Sequence, residues 1–186
     1  KLHEEITGEK IDTKNFFNQY KNINDFKKLY LFNYRAPFIE FQSKFNLVIA
    51  LVRFDEDEIR FITESVMRNH FSQGVSFAEY RLMYSPFETK TGYYLKTRAA
   101  CNGLKNAEIR LGHKINGRLV VSIHRDGNFE TQYDWLKEFM NKDETIRKYL
   151  VGIDFCSIEE GFPPIEKKDF LAKVLLDNKN EPNTAL

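Results

Sequence analysis

One stretch of sequence, residues 75–86 (V-S-F-A-E-Y-R-L-M-Y-S-P), constrains the fold of this chain more than any other. It follows a glycine, is rich in β-branched and aromatic residues, and ends at Ser85-Pro86, so it predicts a buried strand with a defined end. Glu79 and Arg81 lie two residues apart and therefore share one face of that strand. Because a buried charge is tolerated when it is paired, we expect both side chains to be at least half-buried near the C-terminal edge of a sheet, each with a polar partner. They form either a structural ion pair that orients the next loop or part of a functional site.

Predicted strands alternate with predicted helices along the chain. The strands cover residues 1–7, 75–84, 118–124 and 151–158, and residues 184–186 resemble the start of another. The helices cover residues 12–20, 24–30, 38–53, 55–71, 93–111, 129–149 with a break at 141–144, and 166–178. This alternation predicts an α/β fold whose parallel strands lie adjacent in chain order in one curved sheet. A helical insertion, residues 12–73, follows the first strand.

Length and composition exclude several classes of function. The 186 residues correspond to one domain, residues 1–186, and the net charge of +1, with acidic and basic residues interspersed, predicts no nucleic-acid partner. No apolar run reaches the length of a membrane span, and no signal peptide is recognisable, so no membrane partner is expected. Cys101 and Cys156 match no disulfide or metal spacing. Reduced cysteines of this kind favour a cytoplasmic protein.

Polar side chains recur at or near the C-terminal ends of the predicted strands. His3 and Glu5 share one face of the first strand, where they either ligate a divalent metal or lie on the solvated surface. His124 ends the third strand, either as a ligand or acid–base group or, as we favour, as a histidine bonded to the backbone. Asp154 lies within the fourth strand. Since (β/α) barrels place active sites at strand C-termini, the pattern favours a barrel over a purely structural sheet. Four or five strands make only about half a barrel, so the chain is either a fragment of a larger enzyme or an open sheet.

Three segments resemble motifs of the adenosine deaminase family, the zinc-dependent amidohydrolases with a TIM-type (β/α) barrel. Residues 2–8 (L-H-E-E-I-T-G) resemble the first-strand motif L-H-x-H-x-D/E-G. Residues 75–86 resemble the second-strand motif V-x-Y-x-E-x-R-x-S-P, with one extra residue before the final Ser-Pro. Residues 150–160 (L-V-G-I-D-F-C-S-I-E-E) resemble the fourth-strand motif V-x-G-x-D-L-x-G-x-E. The helical insertion after the first strand also fits, so the resemblance implies the N-terminal half of such a barrel.

The resemblance also assigns site residues. His3 matches the first metal-binding histidine and Glu5 takes the place of the second. Thr7 takes the place of an acidic residue near the ribose, Gly8 matches, and Ser157 stands where the family usually has a glycine beside the purine. A glutamate in place of a histidine should lower the Lewis acidity of the metal. The acid/base glutamate and the other metal ligands have no counterpart in this chain, so we expect no catalytic residue here and zinc that is weakly held or absent.

For the complete protein, the resemblance implies zinc-dependent hydrolytic deamination of a purine nucleoside, in which a zinc-bound hydroxide attacks the ring carbon that bears the amine. Two alternatives remain open. One is a degenerate, non-catalytic homologue that acts as a binding or scaffold protein, which the residues Glu5, Thr7 and Ser157 favour. The other is a different amidohydrolase that tolerates a carboxylate ligand on its first strand. Because a half-barrel leaves strand edges unpaired, we expect the chain to be a piece of a longer polypeptide or to pair with a second copy.

Overall fold

The computed structural model describes residues 22–27, 31–32, 34–37, 40–45, 54–85, 87–157, 159 and 161–186. The chain divides into two compact units, residues 1–54 and residues 55–186. The assignment of the whole chain to one domain therefore stays a prediction. The strand predicted at residues 1–7 and the helix predicted at residues 12–20 lie outside the described residues.

The described part of the first unit contains two helical segments. Helix α1 spans Ile23–Lys27, and residues 40–45 are also helical, within the helix predicted at 38–53. The Asn22 side chain accepts the backbone N–H groups of Asn24 and Asp25 at 2.9 and 3.1 Å, which satisfies donors that the first turn leaves free.

The second unit alternates helices with strands in the order that the sequence predicts. Its elements are α2 (Glu56–Ser72), β1 (Phe77–Met83), α3 (Lys90–Arg110), β2 (Asn116–His124), α4 (Phe129–Lys142), α5 (Glu144–Tyr149), β3 (Leu150–Cys156), a 3₁₀ turn (Pro164–Lys167), α6 (Lys168–Asn180) and a second 3₁₀ turn (Pro182–Thr184). None of the helices in the described ranges combines the length and apolarity needed to cross a bilayer.

The three described strands form a parallel sheet in the order β1-β2-β3, which confirms the predicted pairing for these strands. Arg81 lies opposite Val120, and Ser122 lies opposite both Met83 and Asp154. Side chains alternate between the two faces of each strand, so this register assigns every strand residue to a face.

One face of the sheet, the helix face, forms the core of the second unit. It carries Leu119, Val121 and Ile123, all at most 1% exposed. A Cβ added to Gly117 on this face would lie 2.8 Å from Leu104 of α3, so the helix backs directly onto the strand. The opposite face, which we call the polar face, carries Glu79, Arg81, Ser122, His124, Asp154 and Cys156.

Local sequence signals account for the helix boundaries. Asp55 caps α2 by accepting the Glu58 N–H at 2.9 Å, and Thr89 caps α3 by accepting the Gly92 N–H at 3.1 Å. Asp143 separates α4 from α5 and caps the latter, which confirms the break predicted at residues 141–144. Close packing of α2 on α3 requires Gly103, since a Cβ there would lie 2.7 Å from the carbonyl oxygen of Arg60.

The strand predicted to begin at residue 184 is wrong. Thr184 ends a 3₁₀ turn and is buried, and the Lys137 ammonium donates to its hydroxyl at 2.7 Å and to its carbonyl at 2.8 Å. Leu186 bonds through its N–H and carbonyl to the Asn178 side chain. Side chains of α4 and α6 thus bond the backbone groups that a strand would use.

Candidate functional site

An ion pair crosses the polar face of the sheet, between Arg81 of β1 and Asp154 of β3. The prediction that Arg81 is at least half-buried is wrong, because its side chain is 63% exposed, although its predicted polar partner is present. Glu79 is also exposed and, among the described residues, has no ion-pair partner. The reason is that the core of this unit lies on the helix face of the sheet, whereas Glu79 and Arg81 project from the polar face.

The Asp154 side chain is more buried than that of its partner, Arg81. Its side chain is 31% exposed, and its Oδ1 atom is buried with no hydrogen-bond donor among the described residues. A buried carboxylate oxygen without a donor is costly, and such atoms are candidates for contact with a ligand or a further part of a protein. The polar residue that the sequence predicts within this strand, Asp154, therefore carries an oxygen atom without a hydrogen-bond donor among the described residues.

His124 ends β2 and is bonded to the backbone, which confirms the favoured interpretation of this residue. Its Nε2 lies 2.9 Å from the carbonyl oxygen of Tyr84, just after β1. Because a carbonyl can only accept, Nε2 carries a proton. The backbone N–H of His124 donates to Gln132 of α4 at 3.1 Å, and Nδ1 lies 4.0 Å from Asp126, beyond hydrogen-bond distance. The imidazole thus joins the C-terminal ends of β1 and β2.

Arg125, which the sequence analysis did not single out, joins β2 to the end of β3. Its guanidinium donates to the carbonyl oxygens of Cys156 and Phe155 at 3.2 and 3.3 Å and pairs with Glu159 at 2.9 Å. Carbonyls at a strand end otherwise need a new partner, and the planar guanidinium supplies several donors at once. The signal available in the sequence was its position directly after a strand-end histidine.

Ser157 follows β3 in a left-handed conformation, with φ of 77°. Its hydroxyl donates to the Asp126 carboxylate at 2.8 Å. Serine adopts this region at a steric cost that glycine does not incur. The structure therefore places a strained serine at the position where the adenosine deaminase motif usually has glycine.

Two protic groups, the half-buried Cys156 thiol and the buried Tyr93 hydroxyl, have raised pKa values. Burial, with a smaller contribution from Asp154, raises the pKa of the Cys156 thiol to about 11. The Tyr93 hydroxyl is buried without a hydrogen-bond partner among the described residues, and burial raises its pKa well above the ordinary value. Both groups are therefore protonated at neutral pH.

The described residues do not fit a zinc ion. They contain no group of three His, Cys, Asp or Glu side chains placed to share a metal. His124, Asp154 and Cys156 share the polar face but do not form such a group. The predicted ligands His3 and Glu5 lie outside the described residues, as do Thr7 and Gly8.

A buried carboxylate at the opposite end of the sheet was also missed by the sequence analysis. Glu108 of α3 is 2% exposed and accepts from the Gly117 N–H at 3.1 Å, from Arg118 at 3.0 Å and from the Tyr149 hydroxyl at 2.7 Å. Every contact here is internal and lies at the N-terminal end of β2. This arrangement indicates a structural role, whereas Arg81, His124, Asp154 and Ser157 lie at or near the C-terminal end.

Comparisons with known proteins identify similar folds. No family model and no curated protein sequence matches the chain. An amidohydrolase from Burkholderia ambifaria, solved with bound zinc, is similar with a TM-score of 0.54 and 17% identity, over 81% of this chain and 40% of that protein. An adenine deaminase from Arthrobacter aurescens is similar with a TM-score of 0.51 and 18% identity, over 87% of this chain and 45% of that one. The chain spans less than half the length of either structure and shares with them a mixed α/β fold around a parallel sheet.

Proposed function

We propose that the complete protein is a hydrolytic deaminase of the amidohydrolase type, which uses zinc to release ammonia from a purine nucleoside. The observation that carries this proposal is the shared fold, since an amidohydrolase with bound zinc and an adenine deaminase both resemble this chain over most of its length. The sequence L-H-E-E-I-T-G, which resembles the family's first-strand motif, supports the same interpretation, with His3 and Glu5 as the proposed ligands.

The described residues contribute the wall of the proposed active site. The C-terminal ends of parallel strands are where barrels of this kind bind substrate, and the polar face brings Arg81, Asp154 and His124 towards that end. His124 and Arg125 act there as positioning residues, because their ring and guanidinium are bonded to backbone carbonyls of neighbouring strands. The unsatisfied Oδ1 of Asp154 is the described atom best placed to accept a hydrogen bond from a bound molecule.

The test is ammonia release from adenosine by the complete polypeptide that contains this chain, with its zinc content measured on the same sample. In hydrolytic deamination one water is consumed for each ammonia released, and the ring carbon that bore the amine becomes a carbonyl. We expect the variant His3→Ala to lose both zinc and activity. The matched control is His113→Asn, since His113 is exposed in a turn before β2, at the far end of the sheet, and asparagine tolerates its φ of 58°.

Two results would contradict the proposal: no ammonia release from any purine nucleoside by the zinc-loaded protein, or full activity in His3→Ala. Loss of activity in His113→Asn as well as in His3→Ala would show a general effect on folding. Circular dichroism of each variant separates that case from a loss of the metal.

A second candidate function, a non-catalytic binding or scaffold protein, is favoured by Ser157. Its side chain occupies the position of the usual glycine and is bonded to Asp126 rather than left free for a ligand. This candidate predicts that the complete protein releases no ammonia and that removal of zinc with a chelator leaves its partner binding unchanged. It would be contradicted by turnover that a chelator abolishes and added zinc restores.

A further inference from the structure

A small cavity lies between the end of β3 and the turn that leads into α6. It has a volume of about 80 Å³, and we call it the β3–α6 cavity. Its lining consists of Arg125, Phe155, Glu159, Phe162, Pro164 and Lys167. Phe155 projects from the helix face of β3, so the cavity lies on the other side of the sheet from Asp154 and the proposed active site.

Lys167 has no counter-charge among the described residues. The residue is 8% exposed, and among those residues it makes no hydrogen bond or ion pair. Its ammonium lies 4.5 Å from the centre of the Phe129 ring and 5.9 Å from that of Phe162, and it keeps some contact with solvent. Aromatic faces stabilise a cation in part, but an ammonium that is largely shielded from water ordinarily also has an oxygen ligand. The cavity that Lys167 lines is where such an oxygen can be bound.

Arg125 provides a second positive charge at this cavity. Its side chain is 11% exposed, and its guanidinium is fixed by the carbonyl oxygens of Phe155 and Cys156. The remaining contact is with Glu159, whose side chain is 76% exposed. An ion pair to so exposed a carboxylate is weak, so water or another anion can replace it. The lining therefore carries two cations and one loosely held anion.

We propose that the β3–α6 cavity binds a small oxyanion of the size and charge of inorganic phosphate. Lys167 is the main ligand, and Arg125 becomes the second when the Glu159 side chain moves into solvent. The volume supports a small ligand, because one water needs only about 10–15 Å³ of such space whereas pockets for drug-sized molecules measure about 300–1,000 Å³. The proposal does not require the deaminase activity, although the cavity shares Arg125 with the wall of the proposed active site.

The test is titration of the complete polypeptide with inorganic phosphate by isothermal calorimetry, with sodium chloride holding the ionic strength constant. We expect saturable binding and a rise in the melting temperature with phosphate concentration. The variant Lys167→Met keeps the length of the side chain and removes its charge. We expect it to bind phosphate at least about tenfold more weakly, which corresponds to about 1.4 kcal/mol.

Lys173→Met is the matched control. Lys173 lies on α6, close to the turn that ends at Lys167, and its ammonium also lies over an aromatic ring, at 5.0 Å from the centre of Tyr133. Unlike Lys167, it already pairs with Asp134 at 2.7 Å. Its loss should leave phosphate binding unchanged. A purely structural Lys167, held only by its ring contacts, would instead give a Lys167→Met variant that is less stable at every phosphate concentration and binds phosphate as the wild type does.

Glu159→Gln gives a second, independent measurement, since this side chain is 76% exposed and its replacement leaves no buried group unpaired. Removal of the competing carboxylate should tighten phosphate binding several-fold. A competition titration with adenosine 5′-monophosphate identifies the source of the anion. If the nucleotide competes with phosphate, the cavity accepts a nucleotide phosphate; if it does not compete, the ligand is a free anion. The proposal is overturned if phosphate shows no saturable binding, or if Lys167→Met binds it as the wild type does.

Discussion

The Arg81 guanidinium of β1 reaches across β2 to pair with the Asp154 carboxylate of β3. The two outer strands of the described sheet are therefore linked by charge on the polar face, while apolar packing links all three strands on the helix face. Burial is deepest on the helix face, where Leu119, Val121 and Ile123 are at most 1% exposed, although Ser122 and His124 of the polar face are also buried. Stability and candidate chemistry thus lie on opposite sides of the same sheet.

Replacement of Arg81 by leucine should lower the free energy of unfolding by about 1 kcal/mol. The effect is modest because Arg81 is largely exposed and the pair is screened by water, yet Asp154 keeps a buried oxygen when its partner is lost. Urea denaturation at neutral pH is the measurement. Arg60→Leu is the control, since its pair with Asp57 is exposed on both sides and should contribute less than about 0.5 kcal/mol. An Arg81→Leu variant as stable as the wild type would show that the pair is only a surface contact.

Glu108→Gln should be more destabilising, by about 2–3 kcal/mol, because Glu108 is buried and its loss of charge removes the counter-charge of Arg118, whose side chain is 25% exposed. An amide also presents a donor where the Gly117 N–H and the Tyr149 hydroxyl already donate. Glu64→Gln is the matched control, since Glu64 also pairs with an arginine, Arg110, whose side chain is 64% exposed. Its loss should cost less than about 1 kcal/mol in the same urea experiment. Equal losses at the two positions would contradict the structural role assigned to Glu108.

The variant Ser157→Gly should be more stable than the variant Ser157→Ala, by about 1 kcal/mol. Both variants lose the hydrogen bond to Asp126, but only glycine relieves the left-handed backbone. The same pair of substitutions at Ser72, the last residue of α2, should show the opposite order, since alanine is the better helix former. Thermal denaturation of the four variants measures both differences. A preference for alanine at both positions would contradict the strained conformation of Ser157.

The Cys156 thiol should make stability fall at alkaline pH. Its pKa rises from the ordinary 9.0 to about 11 in the folded protein, mainly through burial, so the folded state holds the proton more tightly than the unfolded state. The corresponding stabilisation is complete below pH 9 and is lost as the pH rises through 11. Unfolding free energies of the wild type and Cys156→Ala, measured across this range, should therefore converge or cross as the pH increases.

Cys101→Ala is the comparison for that experiment. Cys101 is fully buried, and burial raises its pKa further than that of Cys156, so its thiol stays protonated in the folded state throughout the same range. The unfolded state still loses that proton above pH 9, so the stability of the wild type relative to Cys101→Ala should fall steadily with pH and show no levelling near pH 11. A pH-independent difference for Cys156→Ala would contradict the raised pKa of that thiol.

Local sequence signals determined the elements of the second unit. The alternation of strands and helices, the caps at Asp55 and Thr89 and the break at Asp143 depend on residues within one turn or one strand of each other. Hydrophobic periodicity and side-chain caps act over that distance, so the sequence was sufficient for these features. The backbone-bonded His124 was also predicted, because a polar residue at the end of a buried strand needs a partner.

Contacts between residues distant in the chain were decided only by the tertiary structure. The exposure of Glu79 and Arg81 depends on which sheet face the helices cover, and Glu108 is bonded to a tyrosine 41 residues away. The residues at 184–186 have a strand-like sequence, yet Lys137 and Asn178 bond their backbone in a turn. In the sequence, Lys167 looks like an ordinary surface lysine, and only the tertiary structure brings it against the end of β3 and the Phe129 ring. The burial of a side chain and its ionic partners depend on how all the helices and strands pack together, whereas hydrophobic periodicity and helix capping are properties of each segment alone.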